Sequence, residues 1–378
     1  MTIADAPLLS LHALQALPPS LINAGVDSNP KQIVFGDGLR QRISSQSQRR
    51  ALRTHMRQAG VAAGNFAMRT AHLPRMIAAA LVEHHGRDAD EATARTADVF
   101  GKKTGIDVST KPSGDTSVML FVPEGAELAI AKVIDAYWDE TTVGEKLPAA
   151  MLKDVLAAFD KDRCGDLAVF GRFLPELDGM TIDSALQVAE ALGTDTLVDE
   201  IDFFTAVDDR AQVDEHLAGH LGRRARTTGI FYRLAVLDRL QLRANLKRGG
   251  LSEAEVDAFA DTVEQALIEA FTLALPKAGA SATSPYTLPA LVLAHGAKRQ
   301  ENLSDAFLTR TRAALPGDDV LALTAAKLLA QHARASRFVT GRSALMPVTI
   351  SPEQLAAAKP LDGLNIVSSY AELSAATR

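Results

Sequence analysis

The arginines of this chain are concentrated in two stretches that contain no acidic residue. Residues 38–82 hold eight arginines and residues 216–237 hold four, although the whole chain has a net charge of −6. Because an unpaired cation is costly to bury, the fold has to keep most of these side chains at its surface. Two interpretations stay open: a solvated basic face, or a surface whose local positive potential binds a polyanion.

The composition excludes several classes of protein. Hydrophobic residues make up 47% and charged residues 23% of the 378 residues, as in ordinary globular proteins. The single cysteine, Cys164, excludes an internal disulfide, so we expect a cytoplasmic protein. The N-terminus lacks the basic and apolar regions of a signal peptide, and no stretch is apolar for long enough to span a membrane. We therefore expect no membrane partner.

A helix is predicted to begin inside the first basic stretch. Ser45 followed by Gln48 fits a capping box, and the helix should run to about residue 58. Leu52 and Met56 would lie on one apolar face. A second face would carry three arginines, which are Arg49, Arg53 and Arg57.

The start of this helix has the chemistry of a phosphate-binding surface. A helix N-terminus presents unpaired backbone N–H groups and the positive end of the helix dipole. Serine hydroxyls and a glutamine amide can donate to phosphate oxygens there, and arginines one and two turns later can make forked contacts. Such contacts hold a nucleic-acid backbone without reading its sequence. The alternative is a capped surface helix with solvated arginines.

The remaining sequence mixes helical and strand-like segments without strict alternation, which predicts an α+β fold. Residues 8–17 form an apolar run too short for its period to separate strand from helix. Residues 35–38 (FGDG) predict a plain turn, with a phosphate-binding nest as the less favoured alternative. Strands are predicted at residues 117–122, 230–237 and 288–294, and helices at residues 181–192, about 252–271 and 320–335.

Other candidate sites are weaker. His216 and His220 have the spacing of two metal ligands on a helix, but no third ligand follows, so exposed loop histidines are favoured. Residues 160–171 begin like a calcium loop and lack its final glutamate. No catalytic arrangement can be inferred from the residues alone. We therefore predict no catalytic residue, no metal and no cofactor.

Several segments together resemble the CasC family, the backbone subunit of the type I-E CRISPR Cascade complex within the RAMP superfamily. Their order and spacing match over about residues 10–310. The most specific pair is the RISSQ run that starts at Arg42 and the FTAVDD run that ends at Asp209. The matching segments are residues 11–23 with Lys31, residues 42–53, residues 170–173, residues 202–209 and residues 228–233.

The resemblance implies a hand-shaped α+β fold. An RRM-like (ferredoxin-like) palm would comprise residues 1–60, 174–207 and 230–378. A helical fingers insertion would occupy residues 61–173, and residues 208–229 would form a β-hairpin thumb.

The resemblance also implies a non-catalytic, RNA-binding protein of antiviral defence. Copies of the chain would oligomerise along one CRISPR RNA and form a ribonucleoprotein with other Cascade subunits. Each thumb would displace one base at intervals, and the bases between would stay free to pair with target DNA. Sequence is then read by base pairing and not by the protein.

The residues that match the family's RNA contacts fall in three groups. The palm contacts would be Asn23, Lys31, Arg42, Ser44, Gln46, Arg49, Arg50 and Arg53. The fingers would contribute Arg172 and Phe173. The thumb would contribute Arg223, Arg224 and Arg226, where relatives often carry an aromatic residue. An arginine can replace that ring, because its guanidinium plane stacks on bases.

Two other functions are compatible with the residues. One is an RNA endonuclease of the related type III backbone kind, in which an aspartate such as Asp37 would take part in cleavage. The other is an oligomeric scaffold whose arginines only face solvent. The resemblance favours a protein that is not an enzyme.

Overall fold

A computed structural model describes residues 2–26, 28–59, 66–104, 114–159, 165–175, 177, 179–197, 200–207, 218–248, 251–313, 315–339, 343–347 and 364–378. The chain divides into two compact units. The first unit consists of Met1–Ala59, Gln187–Asp238 and Glu264–Arg378. The second unit consists of Gly60–Leu186 and Arg239–Val263, so the first unit is interrupted twice along the sequence.

The described residues form twelve strands and eleven α-helices. The strands are β1 (Leu8–Ser20), β2 (Gln32–Phe35), β3 (Gly38–Ile43), β4 (Ala67–Thr70), β5 (Leu120–Pro123), β6 (Leu186–Val188), β7 (Ala191–Gly193), β8 (Glu200–Val207), β9 (Ala218–Asp238), β10 (Leu291–Ala297), β11 (Ser343–Pro347) and β12 (Asn365–Val367). The helices are α1 (Ser45–Gln58), α2 (Leu73–His85), α3 (Ala89–Thr104), α4 (Ala126–Ala136), α5 (Ala149–Phe159), α6 (Gly165–Phe170), α7 (Arg239–Arg248), α8 (Glu253–Leu273), α9 (Ala280–Thr283), α10 (Val320–Phe338) and α11 (Tyr370–Ala376).

A large sheet with β1 near its centre forms the first unit. The strand order is β12-β11-β10-β1-β9-β7-β3-β2, and every neighbouring pair is antiparallel except β11 and β12. In β1, the five residues from Leu9 to Ala13 are each at most 1% exposed. Both faces of this strand are buried, including the polar side chains of Ser10 and His12, so its identity as a strand comes from its pairing with β9 and β10.

The core of the first unit lies between this sheet and α10. One buried cluster contains Tyr232 on β9, Leu293 on β10 and Leu328 on α10. It also contains Phe307, which lies before α10 in the chain. Each fully buried aliphatic side chain of this kind stabilises the fold by about 2 kcal/mol. This packing holds the central strands in fixed register.

Strands β8 and β9 form a hairpin. Glu200 pairs with Arg226, and the antiparallel register continues to Val207 opposite Ala218. The second part of β9 pairs with β1, so one strand of 21 residues belongs to both the hairpin and the central sheet. Residues 208–217, which include His216 and the first part of the predicted thumb segment 208–229, lie outside the described residues.

The helix predicted at residues 181–192 is wrong. This segment forms β6 and β7, and β7 pairs with both β3 and β9. Its buried residues occur in short pairs, such as Ala185 with Leu186 and Ala191 with Leu192. That spacing fits a helical period as well as two short strands, and the pairing with neighbouring strands decides between them.

The second unit packs helices around a short two-stranded sheet. Strands β4 and β5 pair antiparallel, and the core contains Ile77 on α2, Phe100 on α3, Ile130 on α4 and Trp138. The Asp166 carboxylate at the start of α6 accepts a hydrogen bond from the N–H of Ala67, at 2.9 Å. The described residues do not include 105–113 or 160–164. The second of these gaps contains Cys164 and the start of the segment that resembles a calcium loop.

The α+β prediction is confirmed. The strands predicted at residues 230–237 and 288–294 correspond to β9 and β10, and the helix predicted from residue 252 is α8. Its capping box is present, since the Ser252 N–H donates to Glu255 at 2.8 Å and the Glu255 N–H donates to the Ser252 hydroxyl at 3.5 Å. Of the helices described, none has the length and apolarity that a membrane crossing requires.

Candidate nucleic-acid interface

Helix α1 begins one residue earlier than its sequence predicts. Ser44 is the N-cap, and its hydroxyl accepts a hydrogen bond from the Ser47 N–H at 3.3 Å. Gln48 is therefore one position too late to complete a capping box. Its buried amide instead donates to the backbone carbonyls of Ala189 (2.8 Å) and Ile43 (3.2 Å). The capping box predicted at Ser45 is wrong, but the helix start itself is confirmed.

The orientation of α1 follows the predicted apolar face. Gln48, Leu52 and Met56 are its buried residues, at i, i+4 and i+8. Arg49 and Arg53 are half-buried, whereas Gln46 and Arg50 are exposed. The helix therefore presents its glutamine and arginines on the sides that do not enter the core. We name the set Gln46, Arg49, Arg50 and Arg53 the α1 basic surface.

The loop before β2 is tied to the start of α1. The Asn23 side-chain oxygen accepts a hydrogen bond from the Ser44 N–H at 2.8 Å. The Lys31 N–H donates to the Asn23 carbonyl at 3.1 Å, and the Arg42 N–H donates to the Lys31 carbonyl at 2.9 Å. The structure thus brings together Asn23, Lys31, Arg42 and Ser44, which the sequence assigned to one site.

Glu190 places an internal carboxylate at the helix start. One of its oxygens accepts a hydrogen bond from the Ser45 N–H at 3.1 Å, and the other forms an ion pair with the Arg42 guanidinium. The helix dipole and one arginine of the site are thereby partly neutralised. Sequence reasoning missed this residue, because 148 positions separate it from Arg42 and nothing local signals the pairing.

Two cations of the site have no carboxylate partner among the described residues. Within the part of the chain that the structure describes, neither Arg50 nor Lys31 forms an ion pair, and Arg50 is exposed. Arg50 lines a cleft of about 530 Å³ between α1 and the segment that follows α8. The opposite wall carries Lys277, a further exposed cation that no sequence motif singled out.

The hairpin arginines differ in how exposed their side chains are. Arg226 forms an ion pair with Asp202 at 2.7 Å, so its charge is compensated within the hairpin. Arg223 is exposed and stands opposite Phe203, whose side chain is 66% exposed. Directly opposed residues share a face, so a cation and an apolar ring lie side by side there. Arg224, opposite Asp202, is also exposed.

Arg172 is buried within this chain, and its role as an RNA contact stays a prediction. Its guanidinium is buried, donates to the Met180 carbonyl at 2.8 Å, and lies 5.4 Å from the Phe159 ring centre. These contacts satisfy the cation inside the second unit and fix the loop that follows α6. The next residue, Phe173, is 86% exposed, so it remains available for contact with a base.

Asp37 is held in place by two arginines. One carboxylate oxygen accepts from Arg40 at 2.7 Å, and the other accepts from the Arg310 side chain at 3.0 Å. Desolvation acts to raise the pKa of Asp37, but the hydrogen bonds and charges of Arg310 and Arg40 outweigh it and lower the pKa. Residues 35–38 form a plain turn as predicted, and Gly36 has a φ of 59°.

The turn leaves no space for a larger residue at Gly36. A Cβ added there would lie 1.9 Å from the Leu308 carbonyl oxygen. The Asp37 carboxylate therefore links the turn to the segment around Arg310, and its oxygens serve the protein itself. Among the described residues, no group of three or more histidine, cysteine, aspartate or glutamate side chains could hold a metal ion.

Solved structures define the class to which this fold belongs. A chain described as "CRISPR RNA-guided surveillance complex, pre-nicking" is similar with a TM-score of 0.82 and 28% identity, covering 98% of this chain and 100% of that chain. Another, described as "CRISPR RNA-guided surveillance complex", is similar with a TM-score of 0.74 and 26% identity, covering 98% and 99% respectively. The fold is that of a chain found in CRISPR RNA-guided surveillance complexes.

The chain belongs to the CT1975-like protein family, whose model matches residues 9–368. That range includes the loop before β2, the α1 basic surface and the β8–β9 hairpin. No curated protein matches the sequence. The predicted membership in a CRISPR surveillance family is confirmed.

Proposed function

We propose that this chain is the non-catalytic CRISPR RNA-binding backbone subunit of a type I-E Cascade complex in antiviral defence. Its family and its similarity to chains of surveillance complexes support this function. In this proposal residues 1–60, 174–207 and 230–378 are the RRM-like palm, residues 61–173 are the helical fingers, and residues 208–229 are the thumb. A cytoplasmic location is part of the same proposal.

The observation that carries the proposal is the geometry of the α1 basic surface. Gln48, Leu52 and Met56 fix one face of α1 in the core, so Gln46 and Arg50 are presented outward. The loop with Asn23 and Lys31 is bonded to the same helix start. Hydrogen-bond donors and cations at this helix start and loop are suited to contacts with the phosphates of a nucleic acid. Such phosphate contacts do not depend on the base sequence.

The bases would be handled by other residues. Phe173 offers an exposed aromatic ring, and Arg223 on the hairpin offers a guanidinium plane beside Phe203. Both kinds of side chain stack on bases without sequence preference. Copies of the chain would then make the same contacts at regular positions along one guide RNA, and most bases would stay free to pair with target DNA.

The geometry of Asp37 argues against the endonuclease alternative. A carboxylate that accepts hydrogen bonds from Arg40 and Arg310 has little capacity left to bind a metal ion or activate water. We therefore propose that the chain cleaves no RNA. Incubation of the assembled protein with labelled RNA and Mg²⁺ should give no cleavage, and site-specific cuts abolished by Asp37→Ala would overturn this part.

RNA binding tests the central proposal. The double variant Arg49→Ala, Arg53→Ala should weaken binding to RNA of any sequence by about a hundredfold, since each lost charged contact contributes about 1.5 kcal/mol. The control Arg337→Ala removes an exposed arginine on α10 and should bind as the wild type does. Light scattering should show particles that grow with RNA length. Equal affinity of the double variant and the control, or a loss confined to some sequences, would contradict backbone binding.

A further inference from the structure

The cleft beside the α1 basic surface is lined by residues from two separate segments of the chain. Ser47, Arg50 and Thr54 line it from α1, and Lys277 and Tyr286 line it from the segment after α8. Its volume is about 530 Å³, which is large enough for a nucleotide-sized ligand. All of these residues belong to the first unit.

The charge of the cleft is uncompensated. Neither Arg50 nor Lys277 forms an ion pair with any residue that the structure describes. The third basic side chain, His55, is already paired with Glu269 at 3.2 Å. An anion bound in the cleft would be attracted by both cations.

The polar and aromatic groups indicate which anion fits. Ser47 and Thr54 supply hydroxyl donors on the same side of α1 as Arg50. Tyr286 is 53% exposed at the cleft, and an exposed tyrosine ring can stack on a nucleobase. The cleft has no glycine-rich loop of the kind that cradles a triphosphate. A single phosphate beside a flat ring matches one nucleotide of a strand.

We propose that this cleft binds one nucleotide of single-stranded RNA, with its phosphodiester between Arg50 and Lys277 and its base on Tyr286. The inference rests on the proposed function, because Arg50 belongs to the α1 basic surface and also lines the cleft, together with Asn23 and Ser47. A strand held along α1 therefore continues into the cleft. Lys277 and Tyr286 become RNA contacts in addition to those that the family resemblance implies.

The first test compares Lys277→Ala with Lys298→Ala, which removes an exposed lysine that does not line the cleft. Loss of one phosphate contact should weaken RNA binding about tenfold and reduce the salt dependence by about 0.7 in slope. The control should leave both unchanged. If Lys277→Ala behaves like the control while Arg49→Ala, Arg53→Ala loses binding, the cleft proposal fails and the proposed function stands. If none of these variants changes binding, the proposed function fails as well.

The second test is photocross-linking with RNA that contains 4-thiouridine. Cross-links should map to the peptide with Tyr286, persist in Tyr286→Phe and disappear in Tyr286→Ala. Inorganic phosphate at equal ionic strength is the comparison ligand, and it should compete only weakly because it lacks a base. Protection of the cleft by inorganic phosphate without any cross-link to RNA would overturn the proposal in favour of a free-anion site.

Discussion

The β2–β3 turn and the α1 helix are neighbours in sequence, yet they use arginine in opposite ways. Arg40 is fully buried and donates to Asp37 at 2.7 Å and to the carbonyls of Thr194 at 2.8 Å and Phe307 at 3.1 Å. Arg50, ten positions later, is exposed and lines an open cleft. Arg40 therefore stabilises the fold through buried hydrogen bonds, whereas Arg50 is available to bind a ligand.

A run of arginines in sequence therefore combines residues of several kinds. Arg233, in the second acid-free stretch, is also buried; desolvation lowers its pKa to about 10, and it donates to Gln15 at 2.6 Å. Arg42 and Arg226 are paired with Glu190 and Asp202. What separates structural arginines from binding ones is the carbonyl or carboxylate that a distant segment supplies.

Removal of each arginine in turn should affect different properties of the protein. Arg40→Ala should lower the free energy of unfolding by about 3–5 kcal/mol, because it leaves two buried carbonyls without this donor and removes one of the two arginines that bind Asp37. Arg50→Ala should change it by no more than about 0.5 kcal/mol. Urea unfolding of both variants, followed by circular dichroism, measures the two effects.

Arg40→Lys controls for the loss of charge alone. A lysine keeps the cation but cannot reach three acceptors with a planar fork, so an intermediate loss of stability is expected. A stable Arg40→Ala protein that has lost RNA binding would contradict the distinction between the two arginines.

The second prediction concerns the carboxylate that reaches the α1 helix start. Glu190→Gln removes the charge that neutralises Arg42, while its amide oxygen can still accept from the Ser45 N–H. The freed Arg42 should raise RNA affinity about threefold to tenfold and steepen the salt dependence by about 0.7 in slope. Binding titrations at several salt concentrations measure both.

Glu253→Gln is the matched control, since Glu253 is exposed and paired with Lys247 in the second unit. It should leave RNA binding unchanged. Unchanged or weaker binding by Glu190→Gln would mean that Arg42 faces no phosphate.

The parts of the fold that local sequence dictates could be predicted. The spacing of Leu52 and Met56 gave the buried face of α1, and the Ser252–Glu255 pair gave the start of α8. Strand β1 could not be recognised, because the apolar run at its start is too short for its period to separate a strand from a helix. The segment at residues 181–192 was misassigned, because only its pairing with β3 and β9 makes it extended.

The candidate site shows the same limit. Asn23, Lys31, Arg42 and Ser44 could be grouped from sequence, and the structure joins them through hydrogen bonds. The roles of individual cations could not be predicted, because they depend on partners that are distant in sequence. Lys277 gave no signal at all, since a lone lysine after a helix is ordinary until its cleft is seen.

The smallest expected effect is the pH dependence of the Asp37 link. The pKa of Asp37 in the folded chain lies below its ordinary value of 3.8. A carboxyl whose pKa is lowered by folding stabilises the folded state above the unfolded value, and this contribution is lost as the pH falls through the folded value. Asp37→Asn should therefore be less stable than the wild type at pH 7, and the difference should shrink as the pH drops below about 4.

Thermal midpoints of the wild type and Asp37→Asn, measured from pH 7 to pH 3, test this link, with Asp139→Asn as an exposed control. Subtracting the two curves removes the titration of all other groups, so the remaining slope belongs to Asp37 and its arginines. A constant difference would show that the charge of Asp37 does not support the turn. Equal stability at pH 7 would mean that Asp37 does not stabilise the turn, and the endonuclease alternative would then gain support.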